Sequence, residues 1–310
     1  MNKRRVLITG ANGMVGRNIL EHPAIKGFDV LAPNRSELDL CDLNKVRTYL
    51  EHNKLDILVH CAGRVGGIHA NIRHPVEFLV QNLDMGRNIL LGAKEAGIRQ
   101  LINLGSSCMY PRNRNSALTE DQILTGELEP TNEGYALAKI ATMQLGRYIS
   151  REFPEFQYKT LIPCNLYGRY DKFDPQQSHL IPAIIHKLHL AKIKGEKTVS
   201  IWGDGFARRE FMYAGDLADA VLQAIHNYDA TPEIMNIGLG FDYSINDYYQ
   251  IAAEVIGFQG SFLHETDKPV GMARKLINID QQKKWGWRPV TNLRTGILNT
   301  YKFYLTEYTK

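Results

Sequence analysis

Residues 6–16 read Val6-Leu7-Ile8-Thr9-Gly10-Ala11-Asn12-Gly13-Met14-Val15-Gly16, and this stretch gives the first indication of the fold. A short β-branched run stops at Gly10, and from Met14 onward apolar residues recur at helical spacing. The order predicts a strand, a glycine turn and a helix. Glycine lets backbone N–H groups approach a pyrophosphate, and a helix N-terminus attracts the anion. The stretch predicts a dinucleotide site that uses Gly10, Asn12, Gly13, Met14, Val15 and Gly16; a tight turn without a ligand is the alternative.

Similar apolar runs recur along the first half of the chain. They lie at Phe28–Leu31, Ile57–Cys61, Leu101–Leu104 and Thr160–Pro163, with segments of helical length between them. Continuous apolar strands that alternate with helices are typical of a parallel sheet covered on both faces. The sequence therefore predicts an α/β fold, a Rossmann-type doubly wound parallel sheet.

After about Gly168 this alternation breaks into a polar stretch with turn character, and a new strand follows at Val199–Trp202. We expect residues 1–168 to form the dinucleotide-binding domain and residues 169–310 to form mainly a smaller C-terminal α/β substrate lobe. A predicted helix and strand near 214–240 return the chain to the first domain, so the two are interleaved.

Composition excludes several classes of protein. The 310 residues are 44% apolar and 23% charged, which excludes disordered and fibrous chains. The 37 basic residues exceed the 33 acidic ones by only 4, too few for a nucleic-acid binder. The 4 cysteines form no CxxC pair, which predicts neither a disulfide framework nor a metal site. No apolar run reaches the ~18 residues of a membrane span, and a cytoplasmic location is expected.

The end of the second predicted strand discriminates between dinucleotides. An acidic residue there binds the ribose 2′-hydroxyl, whereas an arginine accommodates a 2′-phosphate. Arg35, in Pro33–Ser36, favours NADP(H) as the cofactor, with a solvated surface arginine as the alternative. Asp42 is placed to meet the adenine end.

A tyrosine and a lysine stand four residues apart at Tyr135 and Lys139, hence on one face of a helix. A neighbouring ammonium is expected to lower the pKa of the phenol from about 10, which favours proton transfer near neutral pH. Gly105–Cys108 follows a predicted strand, so it should lie outside the carboxyl end of the sheet, where ligands bind.

The glycine turn, the serine at a strand end and the YxxxK pair together resemble the extended short-chain dehydrogenase/reductase family. Further segments resemble its GDP-4-keto-6-deoxyhexose epimerase-reductases: Val65–Ile68, Ser106–Pro111, Glu129–Glu133, Asn165–Gly168, Ser178–Pro182 and Arg209–Phe211. The resemblance covers nearly the whole chain.

This resemblance implies a chemistry. A ketone at C4 acidifies the hydrogens at C3 and C5, so inverting those centres needs a base and an acid, which Cys108 and His179 match. Hydride would then reach C4 while Tyr135 protonates its oxygen, with Ser106 hydrogen-bonded to that oxygen and Lys139 holding the nicotinamide ribose. The product from GDP-4-keto-6-deoxy-mannose would be GDP-L-fucose. A small buried thiol and an ordinary loop histidine are the structural alternatives.

The resemblance also implies binding residues and a homodimer. Cofactor contacts would include Ala62, Gly63, Lys139, Pro163, Asn165, Leu166 and His179. GDP-sugar contacts would include Ser107, Asn165, Lys187, Trp202, Arg209 and Asn278, although Trp202 could equally be a core residue. Helices near Pro75–Ala96 and Glu133–Arg151 would pair in the dimer.

The match is imperfect in places. Asn12 stands where the family often has arginine, which weakens the expectation of NADPH, and Asn278 replaces an aspartate. Departures cluster in the substrate half, so a 3-deoxy ketosugar, with GDP-L-colitose as product after C5 epimerisation and C4 reduction, stays open. A 4-epimerase or dehydratase with tightly held NAD and a non-catalytic dinucleotide sensor are further alternatives.

Overall fold

The computed structural model describes residues 3–114, 116–174, 178–268 and 272–308. Its strands are β1 Arg5–Thr9, β2 Asp29–Leu31, β3 Ile57–His60, β4 Gln100–Leu104, β5 Gln157–Pro163, β6 Asn165–Tyr167, β7 Thr198–Trp202, β8 Arg208–Arg209, β9 Phe211–Tyr213, β10 Ile234–Ile237, β11 Tyr243–Ser244, β12 Ser261–Glu265 and β13 Arg274–Lys275. Its helices are α1 Met14–Glu21, α2 Leu43–His52, α3 Ile68–Arg73, α4 Pro75–Glu95, α5 Glu133–Glu152, α6 Leu180–Lys194, α7 Ala214–His226, α8 Ile245–Ile256, α9 Asp280–Trp285 and α10 Leu293–Tyr308.

Six strands form the central sheet, in the order β2-β1-β3-β4-β5-β10, and every neighbouring pair is parallel. The predicted Rossmann-type doubly wound sheet is confirmed. The strand order changes direction between β1 and β3. In open parallel sheets, ligands bind in the crevice outside the carboxyl ends of the strands at such a switch point.

The strands of the central sheet are continuously apolar because both faces of the sheet are covered by helices. Val6 and Ile8 belong to a core cluster that includes residues of α1 and α7, whereas Leu7 belongs to a second cluster with residues of α2 and α4. Successive side chains of a strand point to opposite faces, so helices on both faces require apolar residues at both parities.

A separate aromatic core joins α6, α8 and α10 to β7 in the second half of the chain. Tyr167, Phe173, Tyr248 and Tyr304 are among its fully buried side chains. Three small sheets accompany this core: β7 with β12, β6 with β9, and β8 between β11 and β13. Among the described residues, no helix combines the length and apolar character needed to cross a membrane.

Candidate active site

The glycine turn lies between β1 and α1, as the sequence predicts. Gly10 has a φ of +69°, and the Gly13 N–H donates to the Gly10 carbonyl oxygen at 2.9 Å. A Cβ on Gly10 would lie 2.7 Å from Cα of Ala62, and one on Gly16 would overlap the Gly10 carbonyl oxygen. The turn thus packs against the backbone of Cys61 and Ala62, just after β3, while Asn12 and Gly13 are exposed. Since no side chain caps the start of α1, its first N–H groups fit an anion.

Lys139 occupies the space between the ends of β3 and β4. It is 6% exposed, and its Nζ donates to the Leu104 carbonyl oxygen at 2.9 Å. Burial lowers the pKa of Lys139 to about 8. His60, which shares a 2.8 Å hydrogen bond with Thr9, is neutral because burial first and Lys139 second lower its pKa to about 3. A Cβ on Gly63 would lie 3.7 Å from Lys139 Nζ, so this ammonium faces the loop after β3.

Tyr135 lies one turn before Lys139 on α5 and makes a side-chain hydrogen bond with Ser106. Burial is the largest effect on this phenol and raises its pKa; Cys108 raises it further, and the bond with Ser106 opposes the shift. The expectation that Lys139 lowers the pKa of Tyr135 is therefore wrong for this structure. Lys139 Nζ lies 6.0 Å from the Tyr135 ring centre and is directed to Leu104, so desolvation outweighs its field.

Cys108 follows β4 in a 3-10 turn over Ser107–Met109. The Ser106 hydroxyl oxygen accepts the Cys108 N–H at 3.2 Å, which orients the turn, and Ser107 is buried. Two side chains from elsewhere reach the sulfur. Asn132 Nδ2 donates to Cys108 Sγ at 3.2 Å, and Lys275 Nζ lies 3.6 Å from it. The turn therefore presents its thiol to an amide and an ammonium.

The ribbon of β11, β8 and β13 carries Lys275 to this position. Its strand β13 pairs in parallel with β8, so that Lys275 lies opposite Arg209. The Glu210 carboxylate, 1% exposed, accepts the backbone N–H groups of Leu239, Gly240 and Ile277 at 2.6, 2.9 and 3.0 Å. Burial raises the pKa of Glu210 to about 7 although these bonds oppose the shift. Glu210 thus ties the ribbon to the segment after β10.

Arg209 and Asn165 lie in the same neighbourhood. Burial lowers the pKa of Arg209, with Glu129 acting in the opposite direction. The Tyr248 hydroxyl donates to the Arg209 carbonyl oxygen at 2.8 Å, and Asn165 Nδ2 donates to that of Glu210 at 2.9 Å. Arg209 and Asn165, both predicted to bind the substrate, are therefore held next to each other through the backbone at residues 209 and 210.

His179 is the residue immediately before α6. Burial lowers its pKa, and the Lys172 ammonium lowers it further. Lys172 Nζ donates at 3.4 Å to the carbonyl oxygen of Val65, in the loop that follows β3. His179 therefore lies near the side of the crevice formed by that loop. Its predicted position across a sugar ring from Cys108 stays a prediction.

Other predicted cofactor residues lie around the strand ends. Arg35 is on an exposed turn whose Asn34 Oδ1 accepts the Ser36 N–H at 2.8 Å. Asp42 Oδ1 accepts N–H groups of the first turn of α2 at 3.0 and 3.2 Å, so this carboxylate caps a helix. The remaining positions are Met14 and Val15 at the start of α1, Pro163 at the end of β5 and Leu166 in β6.

Three predicted substrate residues have other partners in this structure. Lys187 Nζ donates to the carbonyl and hydroxyl oxygens of Ser200, and burial lowers its pKa. Asn278 Oδ1 accepts the N–H of Asp280 at 2.8 Å at the start of α9. Trp202 is 50% exposed, and its ring stands nearly perpendicular to that of His69 with 5.9 Å between the ring centres, so it is not a core residue.

Sequence reasoning did not single out Asn132, Lys275 or Glu210. Asn132 and Glu210 lie inside motifs that had been recognised, Glu129–Glu133 and Arg209–Phe211, which could have indicated them. Lys275 carries no comparable signal, because a lone cation in a short strand does not show which side chain it will meet.

The chain is similar to known proteins over most of its length. The model of the NAD dependent epimerase/dehydratase family matches residues 6–238. The chain is 54% identical to the GDP-L-colitose synthase of Yersinia pseudotuberculosis, covering 98% of both chains. It is 46% identical to the GDP-L-fucose synthase of Azorhizobium caulinodans, covering 98% of this chain and 97% of that one.

A solved structure is similar over its whole length. The GDP-D-glycero-L-gluco-heptose synthase from Campylobacter jejuni, in the presence of NADPH, superimposes with a TM-score of 0.88 at 26% identity, covering 99% of each chain.

Proposed function

The chain belongs to the NAD dependent epimerase/dehydratase family, and we propose that it is an NADPH-dependent epimerase-reductase of a GDP-4-keto-6-deoxyhexose. One observation carries this proposal. Cys108, Ser106 and Tyr135 form one contact group at the end of β4, and Lys139 lies behind it, where its ammonium faces the loop after β3. Such a group supplies a base for carbon acids and a proton donor for a ketone in one site.

The cofactor is NADP(H) in this proposal, and the residues present fit it. Gly10 and Gly16 let the turn pack tightly against backbone atoms that a Cβ would overlap, and this leaves Asn12 and Gly13 exposed before the uncapped start of α1, which suits a pyrophosphate. Arg35, exposed after β2, would meet the 2′-phosphate. Similar proteins are solved with this cofactor. Residues 1–168 with 214–240 would hold the dinucleotide, and the remainder would hold the GDP-sugar.

The epimerisation uses two groups of this chain. The Cys108 thiolate removes a proton from the carbon beside the ketone, which leaves an enolate. His179, as imidazolium, returns a proton to the opposite face, so that the sugar's centre is inverted and its proton count is unchanged. The burial that lowers the pKa of His179 makes its protonated form a readier donor.

The reduction uses the phenol. NADPH, when bound, would be the source of hydride for C4, and Tyr135 would donate its proton to the C4 oxygen. Ser106, which is hydrogen-bonded to Tyr135, would also hydrogen-bond to the C4 oxygen. Lys139 would hold the nicotinamide ribose. Arg209 would bind the diphosphate, together with Lys187 and Trp202 on the substrate side.

Two ketosugars are candidates for the substrate. The 3-hydroxy sugar GDP-4-keto-6-deoxy-mannose would give GDP-L-fucose. The 3-deoxy sugar would give GDP-L-colitose, and the greater identity to the colitose synthase than to the fucose synthase, 54% against 46%, favours this second candidate.

The test offers both ketosugars with NADPH in deuterated water. We expect NADPH consumption with at least one of them and deuterium at the epimerised carbon of its product. Mass and proton spectra of the product identify the sugar. No NADPH consumption with either ketosugar would contradict the proposed function.

A homodimer is also proposed. α4 and α5 pack closely, since a Cβ on Gly86 would overlap Thr142, and their outer faces carry the exposed residues Val76, Val80 and Leu137. An apolar face of this kind suits a second copy of the chain. Sedimentation velocity at micromolar concentration should give a dimer, and Val80→Glu should give a monomer.

We propose a cytoplasmic location, which the free thiols of Cys41, Cys61, Cys108 and Cys164 support.

A further inference from the structure

We propose that Lys275, assisted by Asn132, holds Cys108 as a thiolate before any ligand binds, and so makes it ready to act as a base. The proposal rests on the role given to Cys108 in the proposed function. It concerns the resting enzyme, however, and its test needs neither sugar nor cofactor.

The geometry around the sulfur is that of an anion site. Lys275 Nζ lies 3.6 Å from Cys108 Sγ, and Asn132 Nδ2 donates to the same atom at 3.2 Å. An ammonium within about 4–6 Å favours the charged form of an acid, and a hydrogen bond to that form favours it further. Both contacts come from segments distant in sequence, so the local turn does not produce them.

The two basic residues of β13 have different partners. Arg274, the preceding residue, pairs with the Asp242 carboxylate, which also receives Arg208. The neighbouring Lys275 instead meets the Cys108 sulfur. Successive side chains of a strand point to opposite faces. The Arg274 guanidinium is therefore paired with Asp242, whereas the Lys275 ammonium points to the Cys108 thiol.

The other three cysteines lie in surroundings that disfavour a thiolate. Burial raises the pKa of Cys61 to about 12, and burial also raises the pKa of Cys164 and of Cys41. Their thiolates are therefore disfavoured near neutral pH. Since only the thiolate is alkylated rapidly, Cys108 should dominate the reaction of this protein with a thiol reagent.

Another role for Lys275 must be distinguished. Lys275 lies opposite Arg209, which the proposed function assigns to the diphosphate, and an ammonium also binds phosphate. If binding diphosphate were its sole role, removing its charge would leave the thiol of the ligand-free protein unchanged.

The experiment measures the alkylation rate of Cys108 by iodoacetamide against pH, in the ligand-free full-length protein, with peptide mass spectrometry to assign the site. Cys108→Ser gives the background from the other thiols. In Lys275→Gln we expect the midpoint of the profile to rise by about one to two pH units, which makes alkylation at pH 7 about 3 to 30 times slower. Lys275→Arg should restore most of the rate, because it keeps the charge.

Controls separate charge from structure. Arg274→Gln removes a cation from the same strand and should leave the profile unchanged; Asn132→Ala should shift it upward by less than Lys275→Gln. Circular dichroism and thermal unfolding confirm that each variant is folded. An unchanged profile in folded Lys275→Gln, or an equal shift in Arg274→Gln, would overturn the proposal. Either result would leave the proposed function standing, whereas absent turnover with a normal profile would refute only the function.

Discussion

Two lysines of the candidate active site, Lys139 and Lys275, are each placed near an acidic side chain, but by different parts of the fold. Lys139 stands four residues after Tyr135 on α5, so one helix brings both to the site. Lys275 meets Cys108 from the other half of the chain, through a strand of two residues tied to its neighbours by Glu210. The first lysine is deeply buried, whereas the second lies in a part-buried contact.

The difference shows that closeness in sequence does not measure electrostatic influence. Lys139 is directed to the Leu104 carbonyl oxygen, and burial dominates the pKa of both Lys139 and Tyr135. Lys275, remote in sequence, directly contacts the thiol. We therefore expect the helix pair to control reduction and the tertiary pair to control proton exchange.

The largest expected effect separates these two reactions. Tyr135→Phe removes the proton donor, so NADPH oxidation should fall by about 10²–10⁴-fold while solvent deuterium still enters the sugar. Cys108→Ser should abolish most deuterium entry and leave NADPH binding intact. Tyr148→Phe, an exposed tyrosine on the same helix, is the control. Parallel loss of both reactions in both variants would show that the two groups are not separable.

The next effect concerns the tertiary attachment of the ribbon. Glu210→Ala leaves three N–H groups without their acceptor, that of Ile277 buried and those of Leu239 and Gly240 partly buried, which should lower the free energy of unfolding by about 3 kcal/mol. Urea denaturation measures it. Glu254→Ala removes an exposed partner of Arg294 and should cost at most about 1 kcal/mol. Equal losses in the two variants would contradict the role of Glu210 in holding β13.

A pH dependence distinguishes the buried lysine. Because burial lowers the pKa of Lys139 to about 8, its ammonium is present below that pH and is lost as the pH rises through it. We expect kcat/KM for NADPH oxidation to fall by about tenfold per pH unit well above pH 8. In Lys139→Arg the decline should move to higher pH, because arginine keeps its proton. A wild-type profile that is flat to pH 10 would contradict this assignment.

The smallest effect tests the cofactor side. Arg35→Ser should raise the KM for NADPH by about fivefold and leave that for NADH unchanged, since an exposed ion pair contributes no more than about 1 kcal/mol. Arg288→Ser, at an exposed arginine after α9, is a control for the loss of one surface cation. Equal effects on both cofactors would remove Arg35 from 2′-phosphate recognition.

Much of the site followed from short stretches of sequence. The strand, glycine turn and helix over residues 6–16 have local causes, and so does the placing of Tyr135 and Lys139 on one helix face. The expected lowering of the Tyr135 pKa did not follow, because desolvation depends on everything packed around the phenol. Trp202 could not be classed as core or surface until its half-exposed position was seen.

Local patterns of residues are sufficient to predict the doubly wound parallel sheet, the glycine turn and the shared helix face of Tyr135 and Lys139, since backbone periodicity and helix spacing act over a few residues. The contacts of Cys108 with Lys275 and Asn132, and the attachment of β13 by Glu210, could be seen only in the folded chain. Such contacts depend on how distant segments pack, and on which polar groups lose their water when they do. Neither property is contained in a local pattern of residues.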